Sequence, residues 1–164
     1  MKKIMAFFLV ALMVAGFAVP AHAAATRTNS AVLIDGGRVD FVAYNIGGNN
    51  YFKLRDIAQA LTGSASTFEV GWDGEQRSIS LVRGEVYTSV GGELSGEGTM
   101  DPQPVKTTAT LTIDGRAFGI AAYNIENNNY FKLRDVGAAI DFEVDWDGAK
   151  NMIIIDTTKS YTPD

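Results

Sequence analysis

The chain contains no cysteine and only one histidine, His22, among its 164 residues. Without cysteine, export from the cell brings no disulfide, so the fold depends on its own hydrophobic core. Cys–His and Ser–His–Asp catalysis needs imidazole, and zinc and type-1 copper sites need histidine or cysteine ligands. Because His22 lies in a segment predicted to be removed, these classes are excluded for the exported protein, as is lipid attachment through an N-terminal cysteine.

Basic side chains are also few. The chain has 14 lysines and arginines against 19 aspartates and glutamates, a net charge of −5. Removal of Lys2 and Lys3 with the leader gives 12 − 19 = −7 for the exported form. Nucleic acids and anionic lipid surfaces are recognised by basic patches, so the composition argues against both as partners and fits a soluble extracellular protein.

One long apolar run is present, over residues 4–17, after the basic pair Lys2-Lys3. A helix break with small residues follows it at Pro20-Ala21-His22-Ala23. This pattern predicts a secretory signal peptide over residues 1–23, with Ala25 as the alternative cleavage position. A retained membrane anchor is the less favoured alternative, because a spanning helix needs about 20 apolar residues. We therefore expect a secreted protein that is not inserted in the membrane after cleavage.

The rest of the sequence is dominated by a tandem duplication. The octet N-N-Y-F-K-L-R-D occupies residues 49–56 and returns unchanged at residues 128–135. The flanking motifs A-Y-N-I, I-D-G, F-E-V and W-D-G also occur twice, at an offset of 79 residues before the octet and 74 after it. The second copy has therefore lost five residues between its octet and its tryptophan motif, and the sequence indicates a duplicated module.

We place the first repeat at residues 31–88 and the second at residues 109–162. Residues 89–108 between them are rich in glycine, serine, threonine and proline, which is typical of a linker that is part flexible and part extended. A unit of this length can form its own core, but its stability is marginal, so packing of one repeat on the other would help.

Each repeat is predicted to fold as β-β-β-α-β-β, in the α+β class, with a curled antiparallel sheet packed around one short helix. The helix begins near the Leu-Arg-Asp triplet, because Leu54, Ile57, Ala58 and Leu61 follow the helical period, as do their copies. The strand that follows alternates Phe68, Val70 and Trp72 with polar positions, which places each tryptophan in the core.

These motifs together resemble the copper amine oxidase N-terminal domain-like family, also called the stalk domain. The resemblance covers both repeats, through the octet, the short apolar helix and the F-x-V-x-W-D-G strand. It implies a curved antiparallel sheet around a helix, in an accessory module of secreted or surface proteins of Gram-positive bacteria.

No catalytic role follows from the resemblance. The oxidase chemistry needs three histidine ligands and a tyrosine followed by aspartate or glutamate, whereas Tyr51 and Tyr130 are followed by phenylalanine. We expect no enzyme activity and no cofactor.

Six residues are candidates for ligand binding. Arg55 and Arg134 stand at helix starts, where a cation opposes the helix dipole. They either clamp the helix to the sheet, through Asp73 and Asp147 or Asp35 and Asp114, or receive an acidic ligand such as a cell-wall phosphate or carboxylate. The remaining candidates are Tyr44, Tyr51, Tyr123 and Tyr130, whose rings could stack on sugar rings. The tryptophans would join them if they were exposed.

Two further chemistries receive weak support. Asp145, Asp147 and Gly148, like Asp73 and Gly74, resemble a fragment of a calcium loop, but Asp-Gly between strands already predicts a turn. Glu69 with Asp73 could form a carboxylate pair for glycoside hydrolysis, although nothing in the sequence predicts a cleft there.

The sequence thus favours a secreted, non-catalytic pair of stalk-type modules that acts as a binding, spacing or oligomerising element at the bacterial cell surface. The alternative is a protein that binds cell-wall carbohydrate or peptidoglycan. The expected partners are a cell-wall polymer, other surface proteins or a second copy of the chain.

Overall fold

The computed structural model describes residues 24–163. The predicted signal peptide, with His22, lies outside the described residues. In the described part of the chain, no helix is long and apolar enough to cross a bilayer.

Both repeats form the same series of elements, four strands, a short helix and two strands. The first repeat contains β2 (Ala31–Ile34), β3 (Gly37–Val39), β4 (Ala43–Ile46), β5 (Asn49–Lys53), α1 (Leu54–Ala60), β6 (Phe68–Asp73) and β7 (Ser78–Arg83). The second contains β9 (Thr110–Ile113), β10 (Arg116–Phe118), β11 (Ala122–Ile125), β12 (Asn128–Lys132), α2 (Leu133–Ile140), β13 (Glu143–Asp147) and β14 (Met152–Asp156). Each repeat is preceded by a short edge strand, β1 (Ala25–Arg27) or β8 (Val105–Lys106).

The fold is α+β, but each repeat has one strand more than predicted. The predicted order has three strands before the helix, whereas the structure has four, because the segment after the first turn is divided into β3 and β4. The reason is that the two halves join different sheets, since β3 pairs with β2 whereas β4 pairs with β5. Residues 40–42 carry the chain from one sheet to the other.

A six-stranded sheet joins the two octets at its centre. Its strand order is β1-β4-β5-β12-β11-β8, and β5 and β12 are antiparallel neighbours. Phe52 lies opposite Phe131 in that pair, while Tyr51 lies opposite Lys132 and Lys53 opposite Tyr130. Equivalent residues of the two repeats therefore exchange places about an approximate two-fold axis at the phenylalanine pair.

The two outer sheets combine strands from both repeats, which the prediction of one antiparallel sheet per repeat did not include. One has the order β13-β14-β2-β3 and the other β10-β9-β7-β6. In each, the central pair is parallel, with Ile153 opposite Val32 in the first sheet and Ile79 opposite Leu111 in the second. The opening hairpin of each repeat thus completes the sheet of the other.

Side-chain contacts secure this exchange at equivalent places. Asp35, in the first hairpin turn, accepts hydrogen bonds from the backbone N–H and the hydroxyl of Thr157, at 2.8 and 2.7 Å. Asp114, its copy, accepts bonds from the backbone N–H and Nε of Arg83, at 3.0 and 2.7 Å. These contacts join the beginning of each repeat to the end of the other.

One hydrophobic core lies between the helices and the sheets, and both repeats contribute to it. Its fully buried members include Phe52, Phe68, Phe131 and Phe142. The predicted helix face is confirmed, since Leu54, Ile57, Ala58 and Leu61 are all buried, and α1 begins at Leu54 as expected. Because the core is shared, neither repeat buries its apolar residues alone.

The predicted linker is fixed against the outer face of the six-stranded sheet, and we call residues 88–104 the strap. Gly98 lies so close to the sheet that an added Cβ would stand 2.4 Å from Val42 Cγ1. Tyr44 donates its hydroxyl proton to the carbonyl of Thr99 at 3.1 Å, and the backbone N–H of Leu94 donates to Asp56. Part of the segment predicted to be a linker, part flexible and part extended, is therefore a packed element of the fold.

Candidate functional site: two matched clefts

The four candidate tyrosines lie together on the outer face of the six-stranded sheet. Tyr44 and Tyr130 meet edge to face at 5.2 Å between ring centroids, and Tyr51 and Tyr123 do the same. Tyr44 has no exposed surface, Tyr51 and Tyr130 are buried, and Tyr123 is half-buried. Burial raises the pKa of Tyr44, Tyr51 and Tyr130. Tyr44, a candidate for stacking on sugar rings, is thus enclosed, and these rings form a second core.

Arg55 forms its hydrogen bond with a tyrosine and not with the carboxylates proposed for it. Arg55 Nη1 donates to the hydroxyl of Tyr87 at 3.1 Å, and Tyr87 in turn donates to Glu93 Oε1 at 2.7 Å. Asp35 and Asp114 bind across the repeats as described above. Arg55 and Arg134 are half-buried and lie in the walls of two separate clefts.

The two tryptophans are exposed, which corrects the prediction that they belong to the core. Trp72 is 51% exposed and Trp146 is 44% exposed, while Phe68 and Val70 on the same face of β6 are buried. The length of the helix explains the difference. At 1.5 Å per residue, the seven residues of α1 span only about 10 Å, whereas Trp72 lies about 14 Å along the strand from Phe68.

Each tryptophan lies in a surface cleft between an outer sheet and the six-stranded sheet. The Trp72 cleft, of about 680 Å³, contains Leu54, Arg55, Val70, Trp72 and Ile79 of the first repeat. The Trp146 cleft, of about 510 Å³, contains their copies Leu133, Arg134, Val144, Trp146 and Ile153.

The opposite wall of each cleft comes from the other repeat and is rich in amides. Asn124, Asn128 and Asn129 face the Trp72 cleft, and their copies Asn45, Asn49 and Asn50 face the Trp146 cleft. Asn45 Nδ2 donates to Asn50 Oδ1 at 3.2 Å, which orients this pair of amides. Every residue that lines one cleft has its repeat equivalent in the lining of the other.

The pairing of the two repeats in the six-stranded sheet, with the edge strands β1 and β8, accounts for this construction. The edge strands add a basic residue to each cleft, Lys106 from β8 at Trp72 and Arg27 from β1 at Trp146. Each site therefore needs both repeats, and one half of the duplication would supply only one wall of either cleft.

The chemistry of the lining suits a sugar ring. An exposed indole offers a broad apolar face, and asparagine supplies both a carbonyl acceptor and two N–H donors for hydroxyl groups. A small set of oriented polar groups beside an apolar surface is what small-molecule sites generally provide.

The candidate carboxylates are engaged in turns and strand contacts. Asp73 accepts backbone N–H bonds from Glu75 and Gln76, at 2.9 and 3.0 Å, and Asp147 accepts one from Lys150. This confirms the turn interpretation of the Asp-Gly motifs. Among residues 24–163, no group of three or more acidic, histidine or cysteine side chains is placed to hold a metal ion.

Glu69 is held as an ionised acceptor. Its carboxylate accepts backbone N–H bonds from Val70 and Thr88, both at 2.8 Å. Burial favours the protonated form, but these bonds outweigh it and lower the pKa of Glu69. A general acid needs the opposite shift, so Glu69 is poorly suited to donate a proton in glycoside hydrolysis.

The sequence identified Arg55 and Arg134 as candidates but missed the asparagines that complete the clefts. The available signal was the recurrence of Asn45, Asn49 and Asn50 as Asn124, Asn128 and Asn129. Comparison of this chain with protein-family models, curated proteins and solved structures found no match.

Proposed function

We propose that this protein is a secreted, non-catalytic binding module of the Gram-positive cell surface, and that its ligand is cell-wall carbohydrate held in the two clefts. One observation carries the proposal, namely that a half-exposed tryptophan, an arginine and three asparagines recur as a set in both clefts. Membership of the stalk-domain family, as two tandem copies of its unit, is part of the same proposal.

Exposure of the tryptophans is the main support for binding. Removing apolar area from water is favourable by about 25 cal/mol per Å², so a large exposed ring is costly unless something covers it. The two repeats leave equivalent rings exposed in equivalent clefts, although Phe68 at the start of β6 and Phe142 just before β13 are completely buried.

The interleaved sheets favour binding over spacing. A spacer gains length from repeats that stack end to end or are separated by a linker. Here each repeat completes the sheets of the other. The close pairing of the repeats adds little length but creates both clefts, because each cleft takes one wall from each repeat.

Retention on purified cell wall tests the proposal. We expect the wild type to sediment with insoluble wall and the double variant Trp72→Ala/Trp146→Ala to remain in solution. Phe118→Ala is a matched control, because Phe118 is 46% exposed but lies outside both clefts. Both variants should keep the wild-type circular dichroism spectrum. Equal retention of the double variant and the wild type, or failure of the wild type to bind, would refute the proposed function.

A further inference from the structure

The two clefts differ in charge at two pairs of equivalent positions. Arg77 lines the Trp72 cleft, and its copy in the Trp146 cleft is Asn151. Arg77 Nη2 donates to Thr108 Oγ1 at 3.0 Å, and Asn151 Nδ2 donates to Asn29 Oδ1, where Asn29 is the copy of Thr108. The two side chains thus reach corresponding places in the clefts, and only one of them is charged.

A second pair of equivalent positions also makes the Trp72 cleft more positive than the Trp146 cleft. The Trp146 cleft is lined by Asp145, whose Oδ1 accepts the backbone N–H of Trp146 at 2.7 Å, and the equivalent residue at Trp72 is Gly71. An added Cβ on Gly71 would stand 2.4 Å from Ser80 Oγ, so a longer residue does not fit there without movement. Together the two positions make the Trp72 cleft more positive than its copy by two charges.

We propose that the Trp72 cleft binds an anionic group of the wall ligand, a phosphate or a carboxylate, while the Trp146 cleft binds a neutral sugar portion. This inference rests on the proposed function. Arginine suits the role because its planar guanidinium presents several N–H donors that match the oxygens of either anion. The carboxylate of Asp145 repels the same groups in the other cleft.

The clefts are tested separately by removing one tryptophan at a time. Trp146→Ala leaves the Trp72 cleft, and Trp72→Ala leaves the Trp146 cleft. Each variant is titrated with intact wall, with wall stripped of phosphate polymers by hydrofluoric acid, and with wall whose carboxylates are amidated. The two treatments distinguish the sources of negative charge.

We expect the affinity of Trp146→Ala to fall about tenfold on the wall whose treatment removes the anion that the Trp72 cleft binds. This is the loss expected when a hydrogen bond to a charged group is removed. Trp72→Ala should bind all three walls equally. Adding Arg77→Asn to Trp146→Ala should remove the dependence on charge, and adding Asn151→Arg to Trp72→Ala should create it. Both substitutions are compatible with the backbone, because φ is nearly the same at the two positions, 51° at Arg77 and 50° at Asn151.

Equal responses of the two single-cleft variants to both treatments would overturn the inference, and so would the absence of any response. In either case tryptophan-dependent retention on wall would leave the proposed function standing. Loss of wall binding by the wild type would instead refute the proposed function, and the inference with it.

Discussion

Replacement of Leu111 by alanine tests whether the two repeats share one core. Leu111 belongs to the second repeat, is 4% exposed, and lies opposite Ile79 of the first repeat in the parallel pair β7·β9. Truncation of a buried leucine costs about 2–5 kcal/mol, since apolar contacts are lost and a cavity remains. Unfolding entropy is about 2.1 cal/mol/K per residue, or about 0.3 kcal/mol/K for the 140 residues described. A loss of about 3 kcal/mol should therefore lower Tm by about 10 °C.

Differential scanning calorimetry is the assay. Because both repeats contribute to the core around Leu111, we expect one transition in the wild type and one transition, moved as a whole, in Leu111→Ala. Val32→Ala is the matched variant, since Val32 is the copy of Leu111, is equally buried, and lies opposite Ile153. It should move the same single transition by a smaller amount. Two transitions, of which only one moves in each variant, would refute the shared core.

The remaining predictions concern the strap and the tyrosine face. Burial disfavours ionised Glu93, but hydrogen bonds from Tyr87, the backbone of Val90 and Ser89 outweigh it and lower its pKa to about 2. A lowered pKa gives stability that is complete above the unfolded value of 4.5 and is lost as pH falls towards 2. Chemical denaturation should show the wild type losing about 1 kcal/mol more than Glu93→Gln over that range, after allowance for solvent screening; parallel pH profiles would contradict this. Tyr44→Phe removes the bond to the Thr99 carbonyl and should cost about 0.5–1.5 kcal/mol by urea unfolding, with unchanged wall retention. Loss of retention in this variant would indicate that the tyrosines on the outer face of the six-stranded sheet take part in binding.

Local structure was predictable from the sequence because it depends on neighbouring residues. The Asp35-Gly36 turn has the positive φ angles, 49° and 83°, that favour Asp-Gly in a two-residue hairpin. Leu54 and Ile57 begin the buried helix face at the expected spacing. The five residues missing from the second copy fall in the loop after its helix, where α2 ends at once on a left-handed Asp141.

The pairing of strands between repeats was not predictable, because the two copies present nearly the same pattern. Ile79 could pack beside Val32 of its own repeat or beside Leu111 of the other, and both are apolar residues on equivalent strands. The alternation of apolar and polar residues along a strand indicates which face is buried. It does not indicate which strand is the neighbour in the sheet.

The predicted burial of the tryptophans was wrong for a different reason. Trp72 follows Phe68 and Val70 in the correct alternation, so periodicity alone places it inside. Burial also requires a covering element, and α1 is too short to reach the end of β6. The same shortness leaves open the cleft in which Trp72 lies, so the error in the core prediction and the candidate site have one cause.

The number of ligands bound per chain shows whether both clefts are binding sites. Isothermal titration calorimetry with a soluble glycan fragment released from the wall by muramidase should give two sites in the wild type. Trp72→Ala and Trp146→Ala should each give one site, and the double variant none. One site in the wild type, or two sites that survive loss of both tryptophans, would contradict a pair of matched binding clefts.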